Sequence, residues 1–254
     1  MPERAVRVVF DGHAVTPQRS GIGVWAYRLC NALLEHCAGR VELSVYACGT
    51  VIPVRTKDEF HHAVEHVREG SLYAVSHQWE IPRLLGNADD HLFHAPDFVA
   101  PLFPIRTPVL VTVHDIVPLV YPRLLARSKK TSVPGLYRAV LTASVRRSAA
   151  VLTVSEFTRS EIVRVLGLDA AKVVVAYPGP SIEVTGGRLS GNLAEQVCGK
   201  PYFLYVGRSD PYKGLPLLAA AYRRALDRAG DALPDLVLAG KRDVIARLKK
   251  HPLA

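Results

Sequence analysis

The sequence predicts an α/β fold of parallel strands joined by crossover helices. Short apolar or alternating runs, of strand type, are separated by segments with helical spacing. Glycine-bearing loops follow the strands at Gly21, Gly23 and Gly207. The same strand–loop–helix order restarts at Tyr202, after a polar stretch with no period. Two domains are therefore expected, over 1–180 and 201–254, with a linker over 181–200.

Arg7 to Phe10 reads as the first strand, ending at Asp11. A loop with Pro17, Ser20, Gly21 and Gly23 leads into a helix over Val24 to His36. Val41 to Ala47 alternates as a second strand. Residues 51–90 carry two helices, around 58–69 and 74–86. His91 to His94 is a short strand and Pro108 to Val113 a fully apolar one. Leu124 to Ser148 is a long basic helix, broken near Pro134-Gly135. Ala150 to Val154 is a strand. Ser155 caps the helix that follows, with Glu156 in its first turn, where a carboxylate suits the dipole. Lys172 to Ala176 is the last strand before the linker. Tyr202 to Val206 reads as a buried strand, followed by helix 214–229, strand 235–239 and helix 243–250.

The 254 residues carry a net charge of +9, with 49% hydrophobic and 22% charged residues, which is globular composition. No apolar run reaches the ~18 residues of a membrane-spanning helix. The N-terminus shows no signal-type apolar segment, so a cytoplasmic protein is expected. Residues 196–254 hold eleven Lys/Arg against five Asp/Glu. That excess suits an anionic ligand, nucleic acid or an acidic membrane surface. Nucleic-acid binding is disfavoured, because no aromatics interleave with the basic residues and no nucleic-acid motif appears. The basic stretch from Arg123 to Arg147 suits peripheral contact with the inner membrane face, or is simply a solvated helix face. Cys30, Cys37, Cys48 and Cys198 form no Cys-x-x-Cys pair and read as small buried hydrophobes.

Four groups of residues could carry chemistry. Gly21-x-Gly23-x-x-Ala26 has dinucleotide spacing, but ten residues separate the first strand from Gly21, where that fingerprint needs a tight turn. The two glycines are either a ligand-contacting loop or an ordinary turn. His114 and Asp115 end an apolar strand, the edge at which open parallel sheets hold ligands. His62-Ala-Val-Glu-His66 has the inverted zinc-protease spacing, but its charged neighbours suit a solvated helix and no third ligand is placed, so no metal is expected. Finally, Gly207, Arg208 and Lys213 lie between a strand and a helix start, where a diphosphate would be well received.

In this order, three motifs resemble the retaining nucleotide-sugar glycosyltransferases of family 4. They are Ser20-Gly-Ile-Gly23; His114-Asp-Ile-Val-Pro-Leu119 with Val154-Ser-Glu-Phe-Thr158; and Tyr205-Val-Gly-Arg208 with Lys213-Gly-Leu215. The third is the most specific. The first two look most like the branch that mannosylates bacterial polysaccharides and glycolipids. The resemblance implies a GT-B-type fold: a complete Rossmann-like N-terminal domain facing the acceptor, and the beginning of a second Rossmann-like domain holding the donor. Arg208 and Lys213 match the pair that neutralises the donor diphosphate, so neither cofactor nor metal is implied. His114 matches the histidine contacting the transferred sugar near its anomeric carbon. Gly21 and Gly23 match the loop against donor phosphates and acceptor, with Asp115 and Gly207 beside these contacts.

The implied partners are a nucleoside diphosphate sugar and a glycan or lipid-linked acceptor. The chain departs from the family pattern in one respect. The family carries two glutamates eight positions apart in its donor domain, whereas this chain has no Glu after Glu195 and no two Glu at that spacing. It is therefore expected to be incomplete for catalysis alone, as a shortened gene product or one half of a split enzyme completed by a second chain would be. The alternative reading is a non-catalytic module that binds an acceptor or a partner.

Overall fold

Seven strands pair side by side, all parallel, in the first part of the chain. The computed structural model describes residues 5–15, 20–37, 39–48, 64–67, 77–85, 91–125, 134–179, 201–208 and 210–240. The elements are β1 (Val6–Asp11), α1 (Gly21–His36), β2 (Val41–Cys48), β3 (Val64–Val67), α2 (His77–Leu85), β4 (His91–Ala95) and β5 (Val109–Val113). They continue as α3 (Val117–Val120), α4 (Pro134–Arg147), β6 (Ala150–Thr153), α5 (Glu156–Leu166) and β7 (Val173–Val175). The strand order is β3-β2-β1-β4-β5-β6-β7. This is a Rossmann-like, doubly wound arrangement: the chain works outward in one direction from β1, then returns to place β4 on its other side. The switch between β1 and β4 opens a crevice at the carboxyl ends of those two strands.

Local chemistry accounts for several boundaries. Ser20 Oγ accepts the Gly23 N–H at 3.0 Å and starts α1. One face of α1, carrying Gly23, Ala26, Cys30 and Leu34, is buried against Val8, Phe10, Leu43 and Val45 of β1 and β2. Cys30 thus acts as the small hydrophobe expected of it, and burial pushes its thiol pKa up. Ser155 caps α5 as expected, accepting from Thr158 N–H at 3.1 Å. The larger core lies under β4 to β7, where Phe93, Val111, Val151, Leu141 and Ile162 are fully buried.

One expectation fails here and another holds in part. The segment expected as a helix around 58–69 contains a strand, Val64–Val67, paired with β2 from Val45 to Cys48. Sheet pairing overrides the helical spacing of a charged segment. The helical presentation expected for His62 and His66 is accordingly lost, and His62 lies outside the described residues. Of the helix expected over Leu124 to Ser148 with a break near Pro134-Gly135, the part after the break stands as α4, opening at Pro134, whereas Leu124 lies in a 3-10 turn over Pro122–Leu125 and residues 126–133 lie outside the described residues. Proline is well placed there, because its missing N–H is not needed in a first turn.

By internal contacts the chain divides into two units, Met1–Val120 with Lys130–Ile182, and Tyr121–Lys129 with Glu183–Ala254. The second unit contains β8 (Tyr202–Val206), α6 (Leu215–Ala229) and β9 (Asp235–Ala239), with β8 and β9 parallel and in register from Tyr202↔Asp235 to Val206↔Ala239. The expectation that β8 is buried does not hold. Phe203, Leu204 and Val206 are exposed, because β8 pairs only with β9 among the described residues. The linker 181–200 and the helix expected over 243–250 lie outside the described residues. Among those described, no helix is long and apolar enough to cross a membrane.

Candidate functional site

The carboxyl ends of β1, β4 and β5 bring a group of buried polar side chains together. β1 ends on Asp11, which is 2% exposed. Its Oδ1 accepts the His13 backbone N–H at 3.0 Å, closing a 3-10 turn over Gly12–Ala14, and also meets His13 Nδ1. His13 is buried as well. Burial alone would lower its pKa. The hydrogen bond and charge of Asp11, with the charge of Glu80, outweigh that and hold it above the usual histidine value. Asp11 and His13 thus form a buried, hydrogen-bonded pair in which each polar group meets the other in place of water.

β4 contributes His94, buried at 4% exposure, whose Nε2 shares a 2.9 Å hydrogen bond with Thr112 Oγ1 of β5. Its ring meets Phe10 nearly edge-on, with centroids 5.0 Å apart. Burial, with a smaller contribution from His114, lowers its pKa to about 4 against the opposing pull of Asp11. The two histidines are thus shifted in opposite directions, His94 downward on β4 and His13 upward in the turn that follows β1.

β5 delivers His114 to the same edge, half-buried. Its Nε2–H donates to the Pro96 carbonyl at 2.9 Å, so Nδ1 is the acceptor nitrogen of the neutral ring. Trp25, in the first turns of α1, stands edge-on to His114 with centroids 4.8 Å apart, and to His94 at 6.3 Å. This indole links the Ser20–Gly23 helix start to His114. Gly21, Gly23 and His114 therefore lie at one edge of the sheet.

The two glycines do different things. A Cβ at Gly23 would collide with the Ala14 carbonyl oxygen, so the close approach of the Gly12–Ala14 turn requires glycine there. A Cβ at Gly21 would meet nothing. Asp115 is exposed, and its Oδ1 accepts the Val117 N–H at 3.1 Å, capping the short α3.

In the second unit, Gly207 N–H donates to the Ala239 carbonyl at 3.0 Å and ends β8. Tyr205 hydroxyl donates to the Arg208 carbonyl at 2.7 Å and fixes the turn. Arg208 Nε meets Asp210 Oδ2 at 3.2 Å. Sequence reading missed Asp210, which offsets part of the positive charge assigned to this loop. Lys213 closes a 3-10 turn over Pro211–Lys213 and lies 5.4 Å from the Tyr212 ring centroid. Gly214 then opens α6 at φ 69°, a left-handed conformation that favours glycine, and no side chain caps the helix. Two cations and uncapped first-turn amides follow a parallel strand, a combination that attracts phosphate.

Sequence reading singled out His114, Gly21, Gly23 and the Arg208–Lys213 loop, and did not single out Asp11, His13, Trp25 and His94, which the structure gathers near His114. Asp11 and His13 carried a signal, being the first polar groups after an apolar strand. His94 carried none, since a histidine ending a short strand is ordinary. Among the described residues no group of three or more His, Cys, Asp or Glu could hold a metal ion.

A family profile described as Glycosyltransferase Family 4 matches residues 19–184. Among solved structures, HepE of Anabaena in complex with UDP-glucose is similar at a TM-score of 0.57 and 18% identity, over 96% of this chain and 64% of that one. A glycosyltransferase from Rickettsia africae is similar at 0.55 and 14%, over 98% and 65%. MnaA of S. aureus in complex with UDP is similar at 0.50 and 12%, over 98% and 66%. These likenesses carry the fold, that of GT-B glycosyltransferases. The chain spans about 64% of the length of HepE. No curated protein matches significantly.

Proposed function

The chain belongs to Glycosyltransferase Family 4, and we propose that it serves the transfer of a hexose, of mannose type, from a nucleoside diphosphate sugar to a glycan or glycolipid acceptor, with retention of configuration. The observation that carries this reading is the loop between β8 and α6, with Arg208 and Lys213 at an uncapped helix start. In such a transfer the bond between the anomeric carbon and the diphosphate oxygen breaks, and the leaving oxygen keeps the electron pair. An acceptor hydroxyl forms the new bond on the same face and gives its proton to the departing diphosphate. The growing negative charge is what fixed cations and helix amides stabilise most. Arg208, Lys213 and the α6 amides supply that positive potential without a metal.

Solved relatives hold UDP and UDP-glucose, which supports a nucleoside diphosphate as the donor class. His114 is assigned the contact to the transferred sugar, held in one tautomer by Pro96 and in one orientation by Trp25. Calorimetric titration of the full chain with UDP and GDP tests this reading. Binding of at least one, weakened roughly tenfold or more in Lys213→Ala, is expected for a lost charge-assisted phosphate contact. Equal affinity in the wild type and in Lys213→Ala would remove the donor loop from the reading.

A further inference from the structure

Helix α5 departs from the usual chemistry of a capped helix start. Ser155 is its N-cap, so Thr158 stands at the third helical position, where a capping box places Glu or Gln to reach back to the N-cap N–H. Threonine is a poor helix former, and here its hydroxyl is one link in a chain that leaves the helix. Ser155 Oγ accepts the Thr158 N–H at 3.1 Å and donates its own proton to Thr158 Oγ1 at 3.0 Å. Thr158 Oγ1 then donates to the His114 carbonyl at 3.4 Å, across 44 residues of sequence. Each hydroxyl accepts one bond and passes one on, an order in which hydrogen bonds reinforce one another. Thr158 is 7% exposed, which shields the link from water.

The chain of bonds arrives where the sheet lets go of His114. β5 and β6 pair from Leu110↔Ala150 to Val113↔Thr153, and His114 is the first residue past the last pair. Thr158 takes up its carbonyl there. Two other elements hold the same residue. Pro96, after β4, accepts His114 Nε2–H at 2.9 Å, and Trp25 of α1 stands edge-on to the ring. Pro96 and Trp25 act on the imidazole, whereas Thr158 acts on the main chain from which it projects. Resting on the reading of His114 as the residue that contacts the sugar, we propose that Thr158, oriented by Ser155, is a positioning residue for His114. It fixes the main chain at the carboxyl end of β5, so that the imidazole meets the transferred sugar in one place. Misplacement of such a contact by as little as ~1 Å is costly to a reaction.

The competing role is to hold α5 to the sheet. The cap does not need the Thr158 hydroxyl, because the bond that satisfies the helix start comes from the Thr158 backbone N–H. The helix has its own anchors as well. Ile162 and Leu166 lie in the core, and Arg159 donates from Nε to the Val173 carbonyl at 3.0 Å and from Nη2 to the Ala170 carbonyl at 3.1 Å. Removing the hydroxyl therefore takes little from α5 and takes the Thr158 bond from the His114 main chain. Valine at 158 has nearly the same shape without the hydroxyl, and serine keeps the hydroxyl without the methyl.

NMR of the full chain, in mildly alkaline buffer and without nucleotide, reads the two His114 ring nitrogens and the cross-peaks between His114 and the Trp25 indole. In the wild type Nε2 should carry the proton and the cross-peaks should be present. Thr158→Val should lower the ratio of that tautomer to the other roughly fivefold, the change one ordinary hydrogen bond controls, and weaken the cross-peaks with it. Thr158→Ser should restore both. The urea midpoint should move far less in Thr158→Val than in Ser155→Ala, which loses the cap. The proposal is overturned if the His114 signals are unchanged in Thr158→Val, or if Thr158→Ser fails to restore them. It is also overturned if Thr158→Val unfolds the first unit or shifts His94 as much as His114, since either marks a packing role. A parallel UDP titration separates the two readings. Lys213-dependent UDP binding with His114 indifferent to Thr158 removes the positioning role alone, and the reverse removes the donor loop alone.

Discussion

Acid should destabilise the first unit through His94. In the folded chain the His94 pKa is lowered from 6.5 to about 4, so the folded state excludes a proton that the unfolded chain accepts. The stabilising contribution is complete above 6.5 and declines as the pH falls from 6.5 toward 4. A difference of about 2.5 units corresponds to roughly 3 kcal/mol, of which about 2 kcal/mol is lost by about pH 5. A loss of that size is a large share of the ~5–15 kcal/mol that holds a typical domain folded. Urea unfolding followed by circular dichroism, at intervals across this range, measures it in the wild type and in His94→Gln, which keeps a hydrogen-bonding side chain for Thr112 but cannot titrate. The wild type should lose stability more steeply than the variant between 6.5 and 4. An imidazole NMR titration of His94 with its midpoint near the ordinary 6.5, or identical pH slopes in the two proteins, would refute the reasoning.

Other changes test the remaining geometry. Gly23→Ala should destabilise the first unit by roughly 1–3 kcal/mol, the usual cost of forcing a methyl group into occupied space, whereas Gly21→Ala should be close to neutral by the same urea assay. Asp210→Ala should tighten UDP binding by releasing Arg208 from its carboxylate, and calorimetry showing weaker binding would mean that Asp210 orients the guanidinium productively. Arg208→Ala with Lys213→Ala should cost less than the sum of the single changes, because both serve one diphosphate. In a completed enzyme, His114→Ala should lower sugar transfer while leaving UDP affinity nearly unchanged, since the unit holding Arg208 and Lys213 is a different one.

The alternation of strands and helices was legible from Val6 to Val175, because both faces of a parallel sheet are covered and its strands become apolar runs. The exception is instructive. β3 reads Val-Glu-His-Val between charged residues, and its neighbours spell a helix. Among the described residues only β2 pairs with it, so its sequence is not forced to be apolar, and the pairing itself leaves no local trace. The candidate residues of the two units divide in the same way. Arg208, Lys213 and His114 announce themselves by residue type and position after a strand. Asp210 lies in plain view beside Arg208, but a sequence gives no distance, so its ion pair was invisible. The opposite pKa shifts of His13 and His94 were equally hidden, because they depend on burial and on which of the two bonds Asp11.

The edge-on contact of Trp25 with two imidazoles also gives the protein an optical voice. The chain has only two tryptophans. One lies against His94 and His114, and the other is half in water beside Phe103. A protonated imidazole quenches a neighbouring excited indole, and a solvated indole emits further to the red than a shielded one. Intrinsic fluorescence therefore splits into two channels without any label. The blue side reports proton uptake at the sheet edge, and the red side reports the solvation of Trp79.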